Sequence, residues 1–154
     1  MADRVSASIV LGGPLTAPEY AELAEIIAEE GLSIEWDGEP FEPTHRTVGQ
    51  PLSLYAHEVA WGQFEVLEVF CVERKWPFVR WSGAYPGQWG PERAVFTGEG
   101  QPASYAADEE DHILVDRGTI ERLGLIEAIL DHFDAADFTV PPLVIEGDPG
   151  IAPA

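Results

Sequence analysis

Two stretches of this chain carry strand-like and helix-like patterns in the same order, and this restricts the fold more than any other feature. In the first stretch, residues 4–11 have the pattern of a strand that runs into a Gly-Gly-Pro turn. A helix is predicted to begin at Thr16, because Thr16 and Glu19 have capping-box spacing, and to end at Gly31. Residues 32–37 then alternate apolar and polar side chains, which predicts a second strand.

The second stretch repeats this order. Residues 52–59 predict a strand, residues 64–75 a helix with one apolar face, and residues 77–82 another strand. Aligning the two stretches pairs Trp36 with Trp81, so an internal duplication is one interpretation and two merely similar units is the other. Consecutive β-α-β units predict an α+β fold with a ferredoxin-like, mixed or antiparallel sheet.

The remainder of the chain predicts two more strands and a third helix. The strands are expected at residues 93–97 and 112–116. Thr119 is expected to cap the helix, and Gly124 is expected to break or bend it near its start. Residues 138–145 are extended, and Pro141-Pro142 confines them to a sheet edge. The helix residues expected to point inward are Ile120, Leu123, Ile126, Ile129, Leu130 and Phe133.

The size of the chain suits one domain. Its 154 residues are 45% hydrophobic, so we expect a single α+β domain over residues 1–146 and a flexible tail over 147–154. No apolar run approaches the roughly 20 residues that span a bilayer, and the N-terminus lacks a signal-peptide pattern. The only cysteine, Cys71, cannot form an internal disulfide, so the sequence predicts a cytoplasmic protein without a membrane partner.

Negative charge is the unusual property of the composition. The chain has 28 acidic and 8 basic residues, for a net charge of −20. The net charge is −9 over residues 1–42, −1 over residues 43–107 and −10 over residues 108–154. Such a chain repels nucleic acid and anionic lipid and attracts basic proteins.

The predicted first helix concentrates this charge on one face. Its carboxylates include Glu22, Glu25, Glu29 and Glu30, with no lysine or arginine among them. Solvated helices usually interleave opposite charges, because like charges three or four residues apart are destabilising. Such neighbours stand about 5–6 Å apart, on the scale of phosphates along a nucleic-acid strand. The row therefore predicts a surface that a basic groove can hold.

Further carboxylates extend this prediction to two other segments. Glu35 and Asp37 follow the first helix closely and are expected to enlarge its surface. Asp108, Glu109, Glu110 and Asp111 form a run that is expected to make a second acidic patch. This run lacks the alternation and glycine of a calcium loop, so a charged turn is the preferred interpretation over a cation site.

Aromatic residues cluster in a loop rich in glycine and proline at residues 81–96. Tyr85 and Trp89 are flanked by Gly and Pro, which indicates a shaped loop that exposes its rings as anchors for a partner. The alternative is that these rings cover a sheet edge. Together with His57 and Glu58, the loop is also the candidate for a small enzyme or ligand-binding module.

No catalytic or metal motif is present in the sequence. The four histidines lack metal-ligand spacing, Gly-x-Ser-x-Gly is absent, and Gly12-Gly13 lacks the later residues of a phosphate loop. The sequence therefore predicts a protein without cofactor, metal or catalytic residues.

In charge, size and composition, but in no motif, the chain resembles the DNA-mimic and anti-defence proteins that phages and plasmids encode. This resemblance implies an acidic inhibitor that occupies the basic nucleic-acid-binding groove of a partner protein. Immunity proteins against basic nuclease toxins match the same criteria. A solvated acidic surface without an electrostatic role, as adaptation to salt would produce, is the remaining interpretation.

Overall fold

The computed structural model of the protein describes residues 3–148. The strands in this range are β1 (Arg4–Leu11), β2 (Gly13–Leu15), β3 (Leu52–Ala60), β4 (Phe78–Ser82), β5 (Glu92–Phe96), β6 (Ala103–Ala106) and β7 (Leu143–Ile145). The helices are α1 (Ala17–Glu29), α2 (Glu65–Arg74), α3 (Arg117–Leu123) and α4 (Ile126–Ala136), with a short 3-10 helix at Pro43–His45. The predicted α+β class is confirmed.

One five-stranded antiparallel sheet organises the chain. Its strand order is β3-β1-β4-β5-β6, so β1 lies between the strands that precede and follow α2. Ile9 of β1 is paired with Leu54 on one side and Arg80 on the other. A separate parallel pair joins β2 to β7, which explains how the extended segment near Pro142 ends in a short strand.

The core lies between this sheet and the first two helices. Ala7, Ile9 and Leu11 alternate along β1 and are completely buried. They belong to one cluster with Leu23 of α1 and Leu67 of α2. These helices form where the sequence predicts them, because their apolar residues recur at helical spacing and face the sheet.

The strand predicted at residues 32–37 is absent. Only Ser33 bridges to β3, exchanging two backbone hydrogen bonds with Tyr55 at 3.0 and 2.8 Å. The chain then turns, because the Gly38 amide donates to the Glu35 carbonyl and Asp37 has a φ of 58°. Trp36 is exposed in this turn whereas its duplication counterpart, Trp81, is buried in β4.

The predictions for the C-terminal third also need correction. Residues 112–116 do not form a strand; they make one bridge, from Ile113 to Ala107. The cap of the third helix is Asp116 rather than Thr119, because the Asp116 carboxylate accepts from the Thr119 amide at 2.8 Å. Gly124, with a φ of 77°, divides the helix into α3 and α4, as the sequence predicts.

The expected inward face of the third helix is half wrong, since Leu123, Ile129 and Phe133 are half-buried but the other three residues are exposed. Ile120, Ile126 and Leu130 are 43%, 75% and 56% exposed, and Ala136 is the buried residue of α4. Helices α1 and α2 already supply the core against β1, and α3 and α4 pack chiefly on each other. The apolar residues recur at helical spacing, as predicted, but the sheet surface that could bury them is already covered by α1 and α2.

Candidate functional site

The carboxylates predicted to bind a partner on α1 stand on the solvent side of that helix. Tyr20, Leu23, Ala24 and Ile27 are its buried residues, as the sequence predicts. This spacing turns Glu22, Glu25 and Glu29 outward, and all three are exposed.

The carboxylates of α1 differ in whether they have partners within the protein, which the sequence does not indicate. Glu19 is used within the helix, since its carboxylate accepts from the Thr16 amide at 2.9 Å. Glu22 lies 3.3 Å from the Arg74 guanidinium of α2. Within residues 3–148, Glu25 and Glu29 form no ion pair and remain the unneutralised members of the row.

Glu30 differs from the other members because it is half-buried beside α2. Burial raises the pKa of Glu30 above its ordinary value, and hydrogen bonds from the backbone at Val66 and Leu67 oppose this rise. These amides lie at the start of α2, where backbone N–H groups are free to bind an anion. Glu30 therefore connects the two helices and is less available to a partner.

The next two predicted residues lie in the turn that replaces the expected strand. Glu35 is exposed and its carbonyl closes the turn. Asp37 is 3.3 Å from Nε2 of His57, and the Nδ1 atom of this ring is 2.7 Å from the Ser6 hydroxyl. The His57 ring also packs against Trp36, with centroids 4.9 Å apart. Asp37 thus fastens the turn to β3.

The acidic run at 108–111 forms an ordered turn. The Asp108 carboxylate accepts from the amides of Glu110 and His112 at 2.9 and 2.8 Å, and hydrogen bonding lowers the pKa of Asp108. Asp111 lies 2.9 Å from Arg93 of β5. This segment is a charged turn, which is the preferred interpretation of the sequence.

The aromatic loop is a tight turn with its rings stacked on each other. Tyr85 and Trp89 are half-buried, and their ring centroids are 5.3 Å apart. Trp61, which is 54% exposed, lies 6.0 Å from Trp89 and widens the aromatic surface. The sequence grouped the first two rings but gave no signal for Trp61, because it comes from a different turn.

Folding brings the acidic turn and the aromatic loop together. The Glu109 carboxylate accepts from the Ala84 amide at 3.0 Å, and the Trp81 indole donates to the Asp108 carbonyl at 3.0 Å. These contacts place two segments that the sequence treats separately on one continuous surface. Glu110, exposed at this junction, lies 3.8 Å from His112.

A cleft of about 480 Å³ lies beside His57 and Glu58, the residues considered for acid–base chemistry. It forms where β1 and β3 lose register between Val5 and Ala7, so that two residues of β3 oppose Ser6. Both ring nitrogens of His57 already have partners, Ser6 and Asp37. These two contacts fix the orientation of the ring beside the cleft.

Arg93 is an organising residue that the sequence did not reveal. Its guanidinium contacts Asp111, the Ala136 carbonyl at 2.8 Å and Asp137 at 3.1 Å. It thereby attaches both the acidic turn and the end of α4 to β5. Its only sequence signal is a strand arginine in an otherwise acidic chain.

Within residues 3–148, no group of three or more His, Cys, Asp or Glu side chains is arranged to hold a metal ion. None of the helices in that range has the length and hydrophobicity to cross a membrane. Cys71 is buried in the core, and burial raises the pKa of its thiol to about 12.

No family model, no curated protein and no solved structure matches the chain.

Proposed function

We propose that this chain is an acidic binding protein that occupies a basic surface of a partner protein, as a nucleic acid occupies a basic groove. The observation that carries the proposal is the placement of the cations. Five of the seven arginines are held in ion pairs with carboxylates of the same chain; these are Arg46, Arg74, Arg80, Arg93 and Arg117. Most of the positive charge is therefore neutralised internally, and the acidic excess remains at the surface.

Two exposed regions supply the contact in this proposal. The first is the solvent side of α1, where Glu25 and Glu29 have no cation beside them within residues 3–148. The second is the junction of the acidic turn with the aromatic loop, where Glu109 accepts a hydrogen bond from the Ala84 amide and Glu110 of the same turn is exposed. Tyr85 and Trp89 stack on each other in the loop. Charge there would attract a basic partner, and the rings would add apolar contact once it is bound.

The sheet order supports a related proposal about the fold. Strand β1 lies between β3 and β4 and is antiparallel to both, in the order expected for a ferredoxin-like sheet. Ser33 bridges the outer side of β3, where a further strand would lie. We propose that the domain is a ferredoxin-like variant whose remaining edge strand is reduced to this bridge. Strands β5 and β6 extend its other edge.

Competition with DNA tests the proposed function. Proteins captured from a bacterial lysate by the immobilised chain at low salt are challenged separately with NaCl and with a short DNA duplex. We expect a basic protein to be released by both, because DNA and the acidic chain would occupy the same surface. If DNA releases none of the captured proteins, the proposal is overturned. If the released protein is a nuclease, the immunity role is favoured.

Charge-reversal variants locate the contact. Glu25→Lys with Glu29→Lys tests α1, and Glu110→Lys tests the junction. Each change is at an exposed carboxylate without an arginine or lysine partner among the described residues, so folding should be preserved. Glu73→Lys, an exposed glutamate on α2 outside both regions, is the matched control. Equal binding by all variants would exclude both regions as the contact.

A further inference from the structure

Helix α4 presents an apolar row to solvent that nothing in residues 3–148 covers. The row consists of Ile126 and Leu130, one turn apart, with Leu125 at the start of the helix. These side chains are 75%, 56% and 67% exposed. An isolated exposed leucine is ordinary, whereas three adjoining exposed aliphatic residues form an apolar patch that a partner can cover.

The helix cannot turn this row inward without losing its attachment. Ala136 is fully buried, and its carbonyl accepts a hydrogen bond from Arg93 at 2.8 Å. The Arg93 guanidinium also reaches Asp137 just beyond the helix. The orientation of α4 is therefore fixed by its C-terminal end, and the row remains outward.

Carboxylates lie directly beside the row. At 100° per residue, Glu127, Asp131 and Asp134 all fall within about 100° of Leu130 around the helix axis. All three are exposed and none is in an ion pair within the described residues. On the preceding helix α3, Arg117 is paired with Glu121 at 2.8 Å, and Arg122 forms no ion pair with these carboxylates among the described residues.

We propose that this surface, the α4 apolar row with its flanking carboxylates, docks a basic amphipathic helix of the partner protein. The inference rests on the proposed function and assigns it a second contact. An amphipathic helix matches the row with its apolar face and the carboxylates with flanking Lys or Arg. The few side chains of the row alone supply less than the roughly 800 Å² per partner of a standard interface, so the acidic flank must take part.

A second copy of this chain fits the surface poorly. Joining two α4 rows would bring two sets of Glu127, Asp131 and Asp134 together, in chains that each carry a net charge of −20. Like charges placed together at an interface oppose association, whereas a basic partner gains from the same charges. Charge complementarity therefore selects the occupant.

Binding of synthetic helical peptides tests the proposal. The probe is an amphipathic peptide of leucine and lysine; one control replaces lysine with glutamate and another replaces leucine with serine. The surface is altered by Ile126→Ser with Leu130→Ser. The matched control is Val66→Ser with Val69→Ser, since these valines on α2 are 58% and 51% exposed.

We expect the leucine–lysine peptide to bind the wild-type chain and the α2 variant equally, and the α4 variant at least about tenfold more weakly. Equal binding to the α4 variant, or no binding at all, would overturn the proposal. So would a wild-type dimer in sedimentation that the α4 variant abolishes, because a second copy would then cover the row. Retention of the DNA-released partner by the α4 variant would refute this inference alone and leave the proposed function standing.

Discussion

Nε of Arg80 donates to Oε1 of Glu68 at 3.1 Å, and both side chains are largely removed from water. The other carboxylate oxygen of Glu68 accepts from the Phe64 amide at 2.7 Å, at the start of α2. Arg80 also donates to Ser82 at 3.1 Å and Glu92 at 3.2 Å. This network attaches the beginning of α2 to β4 and β5.

We expect Arg80→Met to lower the free energy of unfolding by about 3 kcal/mol, because it leaves a buried carboxylate without its cation. Chemical denaturation monitored by circular dichroism measures the change. Arg117→Met is the control, since its ion pair with Glu121 is exposed and is expected to contribute little. Equal stability of the two variants would show that the Arg80 network does not hold α2 to the sheet.

Glu68 predicts a distinctive dependence of stability on pH. Burial is the largest influence on the carboxyl and raises its pKa above the ordinary 4.5, although Arg80 opposes the rise. The folded state then holds the proton more tightly than the unfolded state. The stabilisation that protonated Glu68 gives the folded state is complete below pH 4.5, and it is lost as pH rises through the pKa of Glu68 in the folded state.

We therefore expect the wild-type chain to lose stability relative to Glu68→Gln as pH rises from about 4.5 to about 7. Denaturation midpoints of both chains across this range give the slope of their stability difference against pH. A hydrogen bond lost in the variant shifts this difference by a constant and does not change the slope. A wild-type chain that gains stability relative to the variant would mean that the Arg80 pairing outweighs burial.

Cys71 should be inert in the folded protein. Its thiol is buried in the core and its pKa is about 12, so almost no thiolate forms near neutral pH. We expect Ellman's reagent to react with Cys71 slowly in buffer and rapidly in guanidinium chloride. Reaction in buffer as fast as in denaturant would contradict the packing of α2 against the sheet.

Salt should stabilise this chain. The net charge of −20 produces self-repulsion in the folded state, and ions screen it. We expect Tm to rise by about 3 °C or more between about 20 mM and about 500 mM NaCl, which corresponds to about 1 kcal/mol. The Glu25→Lys and Glu29→Lys double variant should show a smaller rise, and a Tm that falls with salt would contradict the prediction.

The sequence predicted most elements of the core but failed where contacts are not local. Helices α1 and α2 and strands β1, β3 and β4 follow from periodicity and capping. The segment at 32–37 alternates like a strand, yet its turn at Asp37 and its packing against His57 leave only the bridge at Ser33. An alternating pattern describes a strand only if a neighbouring strand is present to pair with it.

The candidate surface was predicted in composition but not in arrangement. Exposure of Glu25 and Glu29 follows from the apolar spacing of α1. The ion pair between Glu22 and Arg74 joins residues more than fifty positions apart, and no local pattern predicts it. The contact of Glu109 with the aromatic loop is equally non-local.

The sequence by itself determined the acidity of this protein, its two core helices and the central strands, because charge and periodicity are local properties. Only the tertiary structure decided which carboxylates are neutralised and which apolar residues are covered. Helix α4 illustrates the reason: periodicity states that Ile126 and Leu130 share a face, but whether that face is buried depends on the surface it meets. In this chain α1 and α2 pack against the sheet, and the row on α4 faces solvent.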